Sequence, residues 1–231
     1  MATARLQRLE LLVGEEGLAR LADACVCVIG LGGVGGSAAL ALARSGVGHL
    51  VLMDGDVVSE SDFNRQAIAH SSLMGLPKPE AAARIIAEIN PEIRVDTVCE
   101  MLLPETVGEK VPDCDHVIDC IDGIPVKIAL ACAAHERGFN LVSSMGTARK
   151  WHPELLRFTD ISKTQGCPVA KIMRRELRRA GVDHLQVLYS EEEPAPQHSE
   201  TPRPLGSTAF VPPVAGTMLA GFVVRQLLEI P

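Results

Sequence analysis

The sequence predicts a three-layer α/β fold whose sheet is mainly parallel and is extended by antiparallel strands in its C-terminal part. Three observations carry this. Short apolar runs alternate with helical patterns, the first of these junctions is rich in glycine, and the alternation loosens after Trp151. Residues 25–29 form a continuous apolar run that stops at Gly30, and small residues follow from Gly33 to Ser45 as a helix. A second run, 49–53, stops at Asp54, and 79–89 is an alanine-rich helix. Alternation of Ile93, Val95 and Thr97 marks a third strand; 116–121 is a fourth, ending at Asp122, with a helix over 125–137. Residues 139–142 are read as a fifth strand leading into a turn over 143–146, and 155–158 and 185–189 as two more strands. Strand, helix, strand at this spacing builds a parallel sheet with helices on both faces.

At 231 residues the chain fits one domain, 1–231, with a nucleotide-binding half over 1–150 and an acceptor-side half over 151–231. Within the second half, 191–204 holds three consecutive glutamates and four prolines and is read as a flexible loop, either a flap or a linker. The net charge of −7 argues against a general polyanion binder, and the 3% of aromatic residues against a broad base-stacking platform. Arg5, Arg8 and Glu10 interrupt the start of the chain, which is not read as a secretory signal. The apolar stretch 210–224 contains Pro212 and Pro213 and is shorter than the roughly 20 residues of a membrane span, so it is read as a buried helix with no membrane role. Seven scattered cysteines without a CxxC pair fit reduced thiols and a cytoplasmic location.

The first strand opens onto Gly30-Leu31-Gly32-Gly33-Val34-Gly35. Gly30, Gly32, Gly33 and Gly35 allow a tight turn and close approach of backbone to phosphate, at the N-terminus of the following helix. Asp54, with Asp56 two residues on, stands where an acid binds ribose hydroxyls. A nicotinamide or flavin dinucleotide fits this turn as well as a mononucleotide does, and a GK[ST] phosphate loop is absent.

Charges further along separate these cases. Arg65, preceded by Asn64, follows the second strand, Lys78 opens a helix and Asp122 ends the fourth strand. All three fall near carboxyl ends of strands, where open parallel sheets bind ligands. Hydride transfer has no use for two cations there. A triphosphate does: Arg65 can clamp phosphate oxygens, Lys78 can neutralise a leaving pyrophosphate and Asp122 can hold Mg²⁺. These three are the candidate catalytic residues.

With Val28 through Gly35, Asp54, Asn64-Arg65-Gln66, Lys78 and Asp119-Cys120-Ile121-Asp122, the chain resembles the ubiquitin-activating-enzyme-like superfamily of ThiF type, which has a Rossmann-like nucleotide-binding fold. The resemblance implies ATP and Mg²⁺, ribose binding by the aspartate after the second strand, and attack of a carboxylate on the α-phosphate to give an acyl adenylate. Within the superfamily the sequence is most similar to the tRNA threonylcarbamoyladenosine dehydratases. That likeness rests on residues 117–122 with Lys127, on Ser144-Met145-Gly146-Thr147, on 160–164 with Cys167-Pro168, on 189–192 and on 206–216. It implies activation of the threonyl carboxylate of the modified adenosine, ring closure by the neighbouring carbamoyl group, tRNA as the partner and a homodimer, for which the apolar C-terminal helix offers a surface. Relatives work alongside cysteine desulfurases, which makes such an enzyme a candidate partner.

The family usually carries asparagine where this chain has Asp62. An anion there is expected to repel the triphosphate, so that Asp62→Asn would tighten ATP. Residues 168–180 read as a helix with Lys171, Arg174, Arg175, Arg178 and Arg179 on one side, a phosphate track for tRNA without interleaved acids; Lys171, Arg174, Arg175 and Arg178 are the candidate RNA contacts. Cys167 beside it is a minor candidate nucleophile. Three other readings compete: an adenylyltransferase for a ubiquitin-like sulphur carrier, a non-catalytic sulphur-relay partner or scaffold, and, more distantly, an NAD-dependent oxidoreductase. The first of these often needs a zinc on two CxxC pairs, which this chain cannot build.

Overall fold

The computed structural model describes residues 4–198 and 204–231. Among these residues seven helices flank one seven-stranded sheet. In chain order these are α1 (Gln7–Asp23), β1 (Cys25–Ile29), α2 (Gly33–Arg44), β2 (His49–Met53), α3 (Lys78–Ile89) and β3 (Arg94–Val98). Then come α4 (Val107–Lys110), β4 (His116–Asp119), α5 (Ile124–Arg137) and β5 (Leu141–Ser144). Last are β6 (Leu156–Asp160), α6 (Pro168–Arg179), β7 (Gln186–Ser190) and α7 (Val211–Leu227), with short 3₁₀ turns between elements.

The strand order is β3-β2-β1-β4-β5-β7-β6. The first five strands run parallel; β1, β2, β4 and β5 are largely buried, as the inner strands of a parallel sheet are, and β3 at the edge is more exposed. β7 continues that direction beside β5, and β6 returns antiparallel to β7 along the edge, so one strand of the C-terminal pair reverses. The strand order turns back between β1 and β4, and ligands of open sheets bind at that switch, beyond the carboxyl ends.

The small residues of α2 let α7 approach closely. A Cβ on Gly216 would lie 2.1 Å from the carbonyl oxygen of Val34 and 2.9 Å from Ser37 Cβ, so only glycine fits there. Val211, Ala215, Leu219, Ala220 and Val223 are buried in one core cluster with Ala38, Ala39 and Leu42 from α2 and with strand residues from both ends of the chain. The apolar C-terminal helix is thus largely consumed inside the chain, and the pairing surface expected of it is reduced to exposed Phe210 and Val214 near its start. Among the described residues no helix is long and apolar enough to cross a membrane.

Two sequence expectations change here. Ser143 and Ser144 lie in β5, not in a turn, and both are buried. Residues 191–198 of the expected flexible loop are tied down: the Glu192 carboxylate accepts the N–H groups of Trp151 and His152, and Arg149 exchanges bonds with Ala195 through its carbonyl and its Nε. Residues 199–203 of that loop lie outside the described residues.

Candidate functional site

The site grows from the turn after β1. Gly30 has φ +85°, and a Cβ there would lie 2.9 Å from the backbone of Cys120 on the β4 side. A Cβ on Gly35 would lie 1.7 Å from the Gly30 carbonyl oxygen, so the turn closes only with glycine at both positions. Gly33 packs against Pro212 of α7 and against Arg65, with 3.4 Å from its missing Cβ to Arg65 Cγ. A Cβ on Gly32 would meet nothing within 4 Å, so the turn's outer side is open. Gly32 provides no side-chain cap for α2, which leaves the first-turn N–H groups of that helix available to an anion.

Asp54 ends β2 and shapes this turn. Its carboxylate accepts the Leu31 N–H at 2.6 Å and the Asp56 N–H at 2.8 Å. Burial pushes its pKa above the ordinary carboxylate value, and those two N–H bonds oppose the shift. Lys78, at the first position of α3, is buried with its Nζ 3.0 Å from Asp56 Oδ2, and its own N–H donates to the Asp56 carbonyl. Asp56 thus holds the lysine beside the site. Arg65 donates from Nη1 to the Ser61 carbonyl and to Asn64 Oδ1, while Asn64 Nδ2 reaches across to the Ser207 carbonyl. Asp122, beyond β4, is exposed and makes no hydrogen bond or ion pair among the described residues. The expected nucleotide residues therefore gather at the carboxyl ends of β1, β2 and β4.

Asp62 does not face this opening. It is buried, with Oδ2 accepting from Ser59 N–H and Ser59 Oγ and Oδ1 from Gln66 Nε2 at 2.6 Å, and Arg65 Nη2 is 3.7 Å away. Its charge organises the turn that aims Arg65, which corrects the expectation that it repels phosphate. Asp62→Asn is expected to weaken ATP binding several-fold, because an amide offers only one acceptor oxygen for three donors. Isothermal titration checks this; tighter binding would restore the repulsion argument.

A buried triad that sequence reasoning did not assemble supports the loop carrying Asp122. Lys127 Nζ is 2.8 Å from Asp119 Oδ2 and 3.3 Å from Ser143 Oγ, and Ser143 Oγ donates to Asp119 Oδ2 at 2.5 Å. The other Asp119 oxygen takes the Ile121 N–H. All three side chains are almost wholly buried. The only signal in the sequence was the lysine eight residues after the aspartate, which puts it on the first turn of α5. Lys150 was missed as well: it is fully buried and donates to the Ser190 carbonyl, and burial holds its pKa below the ordinary lysine value.

The cations of α6 form a separate surface. They line a groove of about 670 Å³ together with Pro168 and Ile172. Glu176 lies among them, contrary to the expected absence of acids, and its carboxyl is held below the usual range by Arg175 and then Arg179. Arg174 is turned inward, donating to the carbonyl and hydroxyl of Thr164. Lys171 and Arg178 are exposed and unpaired among the described residues. Cys167, the minor candidate nucleophile, is buried at the start of α6.

Among the described residues no three His, Cys, Asp or Glu side chains gather as a metal cage. The exposed, unpaired carboxylate of Asp122 is the oxygen-donor chemistry that suits Mg²⁺ bridged by phosphates, a metal that uses one or two protein carboxylates.

Comparison with known proteins shows the family and the fold. The model of the ThiF family matches residues 4–230. A tRNA threonylcarbamoyladenosine dehydratase of Bacillus subtilis is 40% identical over 97% of this chain and 95% of its own length. The crystal structure of the Escherichia coli enzyme of that name in complex with ATP superposes with a TM-score of 0.90 at 31% identity, covering 97% of this chain and 94% of that one. A molybdopterin-synthase adenylyltransferase of Haemophilus influenzae is 33% identical over 64% of this chain, which spans 60% of that protein. With its glycine turn and its family match over nearly all of its length, this chain belongs to the ThiF family.

Proposed function

We propose that this protein is an ATP-dependent tRNA threonylcarbamoyladenosine dehydratase. The observation that carries the reading is the match, over nearly the whole of both chains, to a relative of that name; the glycine turn after β1, Arg65 and Lys78 after β2, and Asp122 after β4 support it. ATP supplies a leaving group: transfer of its adenylyl unit to a carboxylate lets that carbon be attacked by the neighbouring carbamoyl group, and the oxygen departs with AMP.

The chain's residues divide this work. Gly30, Gly32, Gly33 and Gly35 let the triphosphate approach the α2 N-terminus, and Asp54 orients the ribose. Arg65 presents a planar guanidinium fixed at Ser61 and Asn64 to the phosphates. Lys78, held by Asp56, offsets charge on the departing pyrophosphate. Asp122 would hold Mg²⁺ through its carboxylate. On α6, Lys171 and Arg178 are the cations free to meet tRNA phosphates, with Arg175 shared with Glu176 and Arg174 keeping the helix start in place. Replacing Lys171 and Arg178 by Ala is expected to weaken tRNA binding at every salt concentration and flatten its salt dependence by about one to two logarithmic units of slope, with ATP binding intact. An unchanged slope in filter binding would remove α6 from the RNA surface.

The decisive experiment measures pyrophosphate and AMP release with and without tRNA carrying threonylcarbamoyladenosine, alongside mass spectrometry of the digested nucleosides. Release that needs the modified tRNA, with loss of one water from that nucleoside, is the expected result. ATP turnover without the mass change would transfer the proposal to a protein acceptor such as a ubiquitin-like carrier. A homodimer belongs to the reading: Trp151, Leu155, Phe210 and Val214 are exposed apolar residues, with the Trp151 and Phe210 rings 6.3 Å apart, and sedimentation measures the pairing. A tRNA substrate implies a cytoplasmic location. Cys167 is too buried to receive sulphur, so a cysteine desulfurase partner would not act through it.

A further inference from the structure

At the end of the sheet opposite the glycine turn, Cys25 Sγ and Cys114 Sγ lie 2.7 Å apart. That is closer than the roughly 3.5–4 Å at which neutral heavy atoms rest against each other, and longer than the roughly 2.05 Å of a sulphur–sulphur bond. Both are free thiols, and both are only partly buried. Backbone geometry fixes the approach. β1 and β4 are paired with Val26 opposite His116, and the pairing extends one step back: Cys25 N–H donates to Asp115 Oδ2 at 2.8 Å and Asp115 N–H donates to the Cys25 carbonyl at 3.0 Å. Cys114 lies one residue further back, in the loop that leads into β4, and packs with Cys25 against the same core cluster.

Access is also present. Cys114 lines a solvent-open groove of about 420 Å³ with His116, Arg137 and Phe139. Burial pushes both thiols above their ordinary pKa, so they rest protonated at neutral pH and react through a minor thiolate fraction.

We propose that Cys25 and Cys114 are a disulfide-forming pair, oxidised by a small-molecule disulfide of the glutathione class. One thiolate attacks the small disulfide, forming a mixed disulfide and releasing one small thiol. The second cysteine thiolate then displaces the remaining small thiol. Two protein thiols are oxidised, one small disulfide is reduced to two thiols, and the released protons end on those thiols. The bond would staple the starts of β1 and β4, the strands whose far ends carry the glycine turn and the Asp122 loop, and it would close a loop running from residue 25 to residue 114. The inference is independent of the function proposed above.

The test uses the full chain, reduced and then titrated with oxidised glutathione at mildly alkaline pH. Loss of two of the seven thiols is expected, with one linked peptide pair containing Cys25 and Cys114, restoration of all seven by dithiothreitol, and a melting temperature higher by roughly 5–10 °C in the oxidised form. Cys114→Ser should instead stop at a glutathione adduct on Cys25. Seven titratable thiols after oxidation, or a linked pair formed from any other two cysteines, would overturn the proposal. Should Cys114→Ser not fold, the peptide map of the unaltered protein decides alone.

Discussion

Lys127→Met should lower the melting temperature by roughly 10 °C. The substitution keeps the length of the side chain and removes the ammonium that Asp119 and Ser143 share. Asp119 is wholly buried, so its carboxylate is then left with a hydroxyl and one backbone N–H as its partners. Breaking a buried pair from one side costs about 3–5 kcal/mol, and in a chain of this size each kcal/mol moves the midpoint by about 2–4 °C. Asp119→Asn in the same background removes the orphaned charge while keeping an acceptor for Ile121, and it should return more than half of the loss. A single variant as stable as the parent, measured by calorimetry, would show that the ion pair contributes nothing. Because Asp119 anchors the start of the loop that ends at Asp122, the single variant should also lose nucleotide affinity ahead of global unfolding.

Arg65→Ala is expected to reduce ATP-dependent pyrophosphate release by about 10²–10³-fold, the scale of removing one preorganised donor from developing charge. The melting temperature should move by only a few degrees, since the bonds lost are those to Ser61 and Asn64 and a longer contact to Asp62, whose carboxylate keeps Ser59 and Gln66. Arg65→Lys should recover little, because an ammonium cannot reproduce a planar fork held at two points. Coupled turnover assays with calorimetry on the same samples separate these effects. Activity within a few-fold of the parent would remove Arg65 from the phosphate machinery and leave Lys78 as the sole candidate cation.

The strands and helices around the switch point were legible because their physics is local. Residues 25–29 and 49–53 are apolar runs stopped by Gly30 and Asp54, and the alanine-rich patterns of α2 and α3 repeat every turn. α1 was missed because its period breaks at Gly14, which has φ +70°, and because only Gly17, Leu18 and Leu21 are buried on it. Ser143 and Ser144 read as a turn because a serine in a buried strand is justified only by a partner from elsewhere, here Lys127 and Asp119. The same limit governed the charges. That Asp62 points inward, that Arg174 is spent on Thr164 and that Glu176 neutralises its neighbours are facts of orientation. Residue type and spacing placed these groups on the correct elements but did not say which way they turn.

The contact of Gly216 with Val34 sets a schedule for synthesis. α7 follows α2 by well over a hundred residues, so at about 5–20 residues per second the ribosome needs on the order of 10 s or more to deliver the partner that covers the small-residue face of α2. During that interval the glycine turn has strands beneath it but no Pro212 beside Gly33. A chain stalled before residue 211 would therefore present an uncovered alanine-rich surface and a phosphate turn lacking one wall. Nascent chains of increasing length should acquire protease resistance in this region only once α7 has emerged.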